Sequence, residues 1–284
     1  MTHSTPSSDH GRRLYGGDPS RRVTLHDLAR AKERGERWPM LTAYDAMTAR
    51  LFDEAGVPVL LVGDSAANVV YGYDTTLPIT MDELVPLVAA VARSTHRALV
   101  VADMPFGSYQ ASPDQALGEA ARFLKEGGAH AVKLEGGQRI LPQVEALVGA
   151  GIPVMGHLGL TPQSVNALGG YRVQGRGGAG ELLLRDAKSL EAAGAFAVVL
   201  EVVPAALAER VTGALSIPTI GIGAGNACDA QVNVWQDLVG LTPAPRPKFV
   251  RAYADVRSIM ADAVRAWSED VVSGAYPAEE HSYE

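Results

Sequence analysis

One cysteine, Cys228, stands in the chain, so no disulfide can close within it and no thiolate cluster can hold a metal. That scarcity suits a reducing compartment. No apolar run approaches the roughly 18–20 residues of a membrane span. The opening MTHSTPSSDHGRR is polar and lacks an apolar core, which argues against a secretory leader. No basic block stands out and the net charge is -7, so neither nucleic acid nor a membrane is an expected partner. A cytoplasmic protein acting on small molecules is the expectation. Overall acidity does not exclude an anionic substrate, because a site needs only local positive charge. Hydrophobic residues make up 47% of 284, enough for a large core, and that length suits a single α/β barrel.

One grammar repeats along the chain. A helix-like segment ends at Gly, and a short β-type run follows, as in AGVPVLLVGD, GGAHAVKLEG, AGIPVMGHLG and AGAFAVVLEV. Gly supplies the left-handed residue that ends a helix. Runs apolar on both faces fit parallel strands covered by helices. PMLTAYD, ALVVADMP, PTIGIGAG and, weakest, QVNVW complete eight candidate strands. Thr80 with Glu83 and Ser112 with Gln115 read as capping boxes. An extra helix, Leu25 to Arg34, precedes the first strand, and a long one, about Val250 to Val272, follows PAPRPK. The pattern predicts a (β/α)8 barrel over 23–273, with mobile tails at 1–22 and 274–284. A doubly wound sheet is the rival, but it would gather polar residues at one switch point only.

Here polar residues end many strands: Asp45, Asp64 with Ser65, Asp103, Lys133 with Glu135, His157 and Glu201. In a barrel these ends meet at one mouth, where catalytic sites of this fold lie. Each alone has an ordinary reading, since an Asp at a strand end often caps the next helix. Lys133 is harder to dismiss, because a lysine between Val132 and Leu134 on a buried strand needs a partner or a task. As a set they fit a hard divalent cation and an anionic substrate. Carboxylates suit magnesium, and the lone histidine and absent sulfur disfavour zinc. Such a set serves chemistry at the carbon beside a 2-keto group.

LTAYDAMTARLFDEAGVPVLLVGDSAANVVYGYDTTLPIT, VVADMPFGSY, AVKLEGG, PVMGHLGLTPQSV, VVLEVVP and PTIGIGAG resemble, in order and content, the ketopantoate hydroxymethyltransferase family. The resemblance spans about Val23 to Val272. It implies a barrel of the phosphoenolpyruvate/pyruvate-binding type, Mg2+, and 5,10-methylenetetrahydrofolate as co-substrate. It implies transfer of a hydroxymethyl group to 3-methyl-2-oxobutanoate, on the route to pantothenate and coenzyme A. Carried over residue by residue, Asp64 and Asp103 become metal carboxylates that also meet the substrate, with Glu135 a third acid near the metal. Ser65, with its neighbouring amides, and Lys133 become binders of the substrate carboxylate. Glu201 becomes the base at C3, and His157 a residue near the transferred one-carbon unit. A homodecamer is the implied assembly.

Three alternatives stand beside this reading. A metal-dependent 2-oxo acid lyase of the same superfamily lacks its KKCGH-like element here. A Schiff-base aldolase would use Lys133 as nucleophile. A ligand-binding scaffold would leave a costly ring of charge without a task. Among glycine-rich stretches, GIGAGNACD reads as a tight turn, and VQGRGGAGE, 173–181, reads as a lid segment without the GK[ST] of a P-loop.

Overall fold

The structure, a computed structural model, describes residues 13–284. Residues 1–12, the first part of the expected tail, lie outside the described residues. Packing separates the chain into two compact units, one ending at Asn233 and the other Val234–Glu284.

In the first unit eight parallel strands close into a barrel in sequence order. They are β1 Trp38–Thr42, β2 Val59–Val62, β3 Leu99–Asp103, β4 Ala131–Glu135, β5 Val154–Gly159, β6 Ala197–Glu201, β7 Thr219–Ile222 and β8 Ala230–Asn233. β8 pairs with β1 through Met40 and Val232, which closes the ring. Successive strand side chains alternate between faces. Leu99 and Val101, Ala131, Met155, and Ala197 and Val199 join one core that also takes Met40, Leu61 and Val232. Two residues further along those inward rows stand Asp103, Lys133, His157 and Glu201. The alternation that fills the barrel with apolar side chains therefore carries the charged ones into its mouth.

Helix α1 Leu25–Glu33 precedes β1; α2 Ala46–Glu54, α3 Ala66–Val69, α4 Met81–Ser94, α5 Pro113–Lys125, α6 Leu141–Gly149, α7 Val165–Leu168, α8 Ala179–Ala192 and α9 Ala205–Ala214 follow strands β1 to β6, two of them after β2 and two after β5. The α4 box forms as expected, with Thr80 N donating to Glu83 Oε2 at 2.8 Å and Glu83 N to Thr80 Oγ1 at 3.3 Å. The α5 box is half-formed. Ser112 caps Gln115 N, but the Gln115 amide closes the preceding loop, accepting from Ala111 N and donating to Gly107 O. β7 passes to β8 without a helix, so the alternation expected from sequence lapses there. Leu28 and Ala31 of α1 enter the barrel core. Segment 13–22, expected to be tail, is tied to the barrel at several points, Arg97 donating to the carbonyls of Leu14 and Asp18 among them. Leu14 is buried and donates its N–H to Glu36, while Arg22 donates to the carbonyls of Thr95 and Ala98.

The second unit holds α10 Trp235–Leu238 and α11 Val256–Ser273. α11 starts later than the expected 250, because Asp255 is the residue whose side chain accepts from Ser258 N. None of its residues is buried, and Ile259, Val264 and Trp267 are more than half exposed.

At the start of β3, His130 Nδ1 accepts from Val100 N at 3.0 Å, a bond that requires the neutral ring. Burial, aided by the Arg22 charge, lowers its pKa from 6.5 to about 4. Because the folded value is depressed, its contribution is complete above pH 6.5 and drains away as pH falls toward 4. Stability should fall by on the order of 1–2 kcal/mol over that window, allowing for the ring's partial exposure. His130→Asn, which keeps an acceptor but not the titration, should flatten that limb in urea melts taken at stepped pH.

Candidate active site

The GDS turn opens the site at the end of β2. A Cβ on Gly63 would come within 2.8 Å of Ser65 Oγ, so any larger residue there would push that hydroxyl aside. Asp64 N donates to Asp103 Oδ2 at 3.2 Å, joining the ends of adjacent strands. Ser65 Oγ lies 2.8 Å from the Tyr44 hydroxyl. Beside it, Ala66 N and Ala67 N donate to Gly63 O and Asp64 O within the turn.

Asp103, Lys133, Glu135 and His157 are each no more than 3% exposed. Lys133 Nζ pairs with Asp103 Oδ1 at 2.8 Å and lies 3.2 Å from His157 Nδ1. His157 bridges two acids, with Nδ1 3.3 Å from Glu135 Oε1 and Nε2 3.2 Å from Glu201 Oε2. Strand pairing sets this up, since Asp103 is in register with Lys133 and Glu135 with His157. Six of the seven expected site residues thus form one contiguous network, Asp64 entering through Asp103. Ser65 follows on the same turn.

Four acids share this mouth with one lysine and one histidine, and the titrations reflect the excess. Burial pushes the Asp103 carboxyl up to about 8; Lys133 opposes the rise, while Asp64 and Glu135 add to it. Burial works against the Lys133 ammonium, but Asp103, Glu135 and Asp64 outweigh it and hold the amine above its usual value. Burial and Lys133 likewise push the His157 ring down, yet Glu135 and Glu201 lift it to about 9. The two acids flanking His157 thus favour its charged form, against burial and the nearby Lys133.

Asp45 belongs elsewhere. It caps α2, accepting from Met47 N and Thr48 N, the ordinary fate of a strand-end Asp. Glu135, expected near a metal, is engaged by His157 and by Gln163 N, which donates to its Oε2 at 3.0 Å. Among the described residues no three of His, Cys, Asp and Glu are disposed to hold an ion together.

Three features escaped the sequence reading. Gln163, buried in the turn after β5, donates through Nε2 to Asp64 Oδ2 at 3.0 Å. Tyr109, also buried, accepts from Glu135 N and donates to Gln163 Oε1 at 2.8 Å. Val202, directly after Glu201, sits at φ 49, a left-handed backbone rare for a β-branched residue. Its N–H donates to Ile222 O at 2.8 Å, and its carbonyl accepts from Gln174 N at 3.0 Å. Such strain costs roughly 1–3 kcal/mol and persists only where its surroundings enforce it. Through Gln174 the expected lid segment is anchored beside Glu201. Gly159 completes the fit, since a Cβ there would meet Glu201 O at 2.2 Å.

The family model for ketopantoate hydroxymethyltransferase matches residues 22–279. The chain belongs to this family. A relative in Thermobifida fusca, named 3-methyl-2-oxobutanoate hydroxymethyltransferase, is 67% identical over 271 residues, covering 95% of this chain and 96% of its own. One of the same name in Frankia casuarinae is 70% identical over 262 residues, covering 92% and 88%. Among solved structures, phosphonopyruvate hydrolase in complex with oxalate and Mg++ aligns at a TM-score of 0.60 with 13% identity, covering 91% of this chain and 93% of its own. 2,3-Dimethylmalate lyase, a PEP mutase/isocitrate lyase superfamily member, aligns at 0.56 with 18% identity, covering 92% of each. At such identities the likeness is of fold: this ketopantoate hydroxymethyltransferase family member shares the (β/α)8 barrel of that superfamily.

Proposed function

We propose that this chain transfers a hydroxymethyl group from 5,10-methylenetetrahydrofolate to 3-methyl-2-oxobutanoate, giving 2-dehydropantoate for pantothenate synthesis. The observation that carries it is the Asp103–Lys133–His157 network, buried and leading out to Glu201, at the mouth of a barrel whose relatives bear that enzyme's name. The same reading sets the reaction in the cytoplasm. It takes a homodecamer as the assembly, supported by the exposed apolar side chains of α11.

The donor set suits Mg2+. Buried acids outnumber the cations beside them, and the raised Asp103 carboxyl reflects a site that would accept further positive charge. Asp64 and Asp103 would hold the ion, with Glu135 acting through water; magnesium characteristically takes one or two carboxylates and keeps several waters. When bound, the ion would draw charge from the 2-oxo group and make the C3 proton more acidic.

The chain's own residues do the rest. Lys133 and Ser65 face the substrate carboxylate. Glu201, its carboxylate held by His157 Nε2, takes the proton from C3. The enolate adds through C3 to the methylene carbon, forming the new C–C bond; that carbon's two bonds to folate nitrogens break, tetrahydrofolate leaves, and one water supplies the oxygen of the new hydroxymethyl group. His157 stands beside the one-carbon unit. A charged Lys133 is a poor nucleophile, which argues against the Schiff-base alternative.

The test is direct. Purified protein given the keto acid, methylenetetrahydrofolate and Mg2+ should form 2-dehydropantoate, detected by mass. Chelator should abolish turnover and added Mg2+ restore it. Turnover that survives metal removal would sink the metal part of the reading.

A further inference from the structure

We propose that Gln163 is a positioning residue that fixes the orientation of the Asp64 carboxylate. This rests on the reading that Asp64 binds the cation and the keto acid. Gln163 is 5% exposed and lies in the turn Pro162–Ser164, directly after β5. Its Nε2 donates to Asp64 Oδ2 at 3.0 Å and to Met104 O at 2.9 Å. Its Oε1 accepts from Tyr109 Oη at 2.8 Å and from Gln110 Nε2 at 3.3 Å. Its backbone N–H meets Glu135 Oε2 at 3.0 Å.

This arrangement has one workable orientation. Turning the amide over would set Oε1 against a carboxylate and a carbonyl, two acceptors with no proton to give. Tyr109 is itself pinned by Glu135 N at 3.1 Å, so the far end of the amide cannot drift. The amide thus spans from the end of β2 to the stretch after β3, and the backbone N–H of the same residue reaches the end of β4. A group serving only the fold would spend its donors on backbone carbonyls. Gln163 spends one on a carbonyl and one on a site carboxylate, while its N–H takes a second acid. Partners placed behind a metal-binding carboxylate set its plane and basicity, and their loss typically costs about 10–100-fold in metal affinity or activity.

The experiment compares the parent with Gln163→Met, Gln163→Glu and Asp64→Asn. Calorimetric titration with Mg2+ alone gives Kd; kcat and keto-acid KM come from product formation; thermal unfolding in chelator reports folding. Gln163→Met should weaken Mg2+ by about 10-fold or more and raise KM, with the protein still folded. Gln163→Glu keeps the shape but faces Asp64 with an acceptor, so it should lose at least as much, and it carries the test where the methionine variant does not fold. If Asp64→Asn loses Mg2+ while both Gln163 variants bind it and the keto acid like the parent, the positioning role is wrong and the Asp64 reading stands. If Asp64→Asn also binds like the parent, both fall.

Discussion

Glu201→Gln should stop exchange of the C3 proton while leaving the keto acid bound. In deuterated buffer without folate, the parent protein should wash deuterium into C3 of 3-methyl-2-oxobutanoate, followed by NMR. The variant should slow that exchange, and overall turnover, by about 10²–10⁴-fold, the range for loss of a positioned general base. The substitution is shape-conserving. A Gln keeps the size and shape of the side chain that lies 3.2 Å from His157 Nε2, so the mouth need not rearrange. Asp64, Lys133 and Ser65 are untouched, so KM for the keto acid should move little. That split separates loss of chemistry from loss of binding. Exchange at the parent rate would remove Glu201 from the role of base. Glu201 is 17% exposed at its side chain, against 2–3% for Glu135, which fits a carboxylate that must reach substrate.

The barrel was legible because local signals agreed. Runs apolar on both faces, glycine after each helix and Thr80 before α4 all mark the same boundaries. The site was legible for a related reason: a strand has period two, so Lys133 and Glu135 had to share the inner face with Ala131. Asp45 and Asp64 show where that reasoning stops. Both end a strand in similar local sequence, yet α2 starts at the residue after Asp45 and claims its side chain, whereas the Asp64 carboxylate meets Gln163, 99 residues away. A choice made by so distant a partner leaves no local trace. Gln163 had one weak signal, a Pro-started turn directly after β5 in HLGLTPQ. Val202 had none, since its left-handed backbone is imposed by bonds to Ile222 and Gln174. The missing helix after β7 did have a signal, since GIGAGNACD reads as a tight turn that leaves no room for one before QVNVW.

Lys133→Met should be the most destabilising single change in the mouth. Asp64, Asp103 and Glu135 are at most 5% exposed, and Lys133 makes the ion pair among them. Methionine keeps the length and apolar stem, so packing is conserved and the charge alone is removed. The acids then lie buried without their nearest cation. Breaking a buried pair from one side costs about 3–5 kcal/mol where the remaining group stays charged, so the loss should be full at alkaline pH and smaller at neutral pH, where the Asp103 carboxyl, already raised to about 8, takes up a proton. The full loss is a large share of the roughly 5–15 kcal/mol that holds a domain folded. Melting in chelator, where bound metal cannot mask the loss, should show a drop of about 10 °C. Asp103→Asn added to Lys133→Met removes the orphaned charge and should restore at least half of the loss. A non-additive recovery of that kind is the signature of a coupled pair. KM for the keto acid should stay high in the double variant, because restoring charge balance does not return the ammonium that faces the substrate carboxylate. A single variant that melts with the parent would mean that Lys133 does not balance these acids.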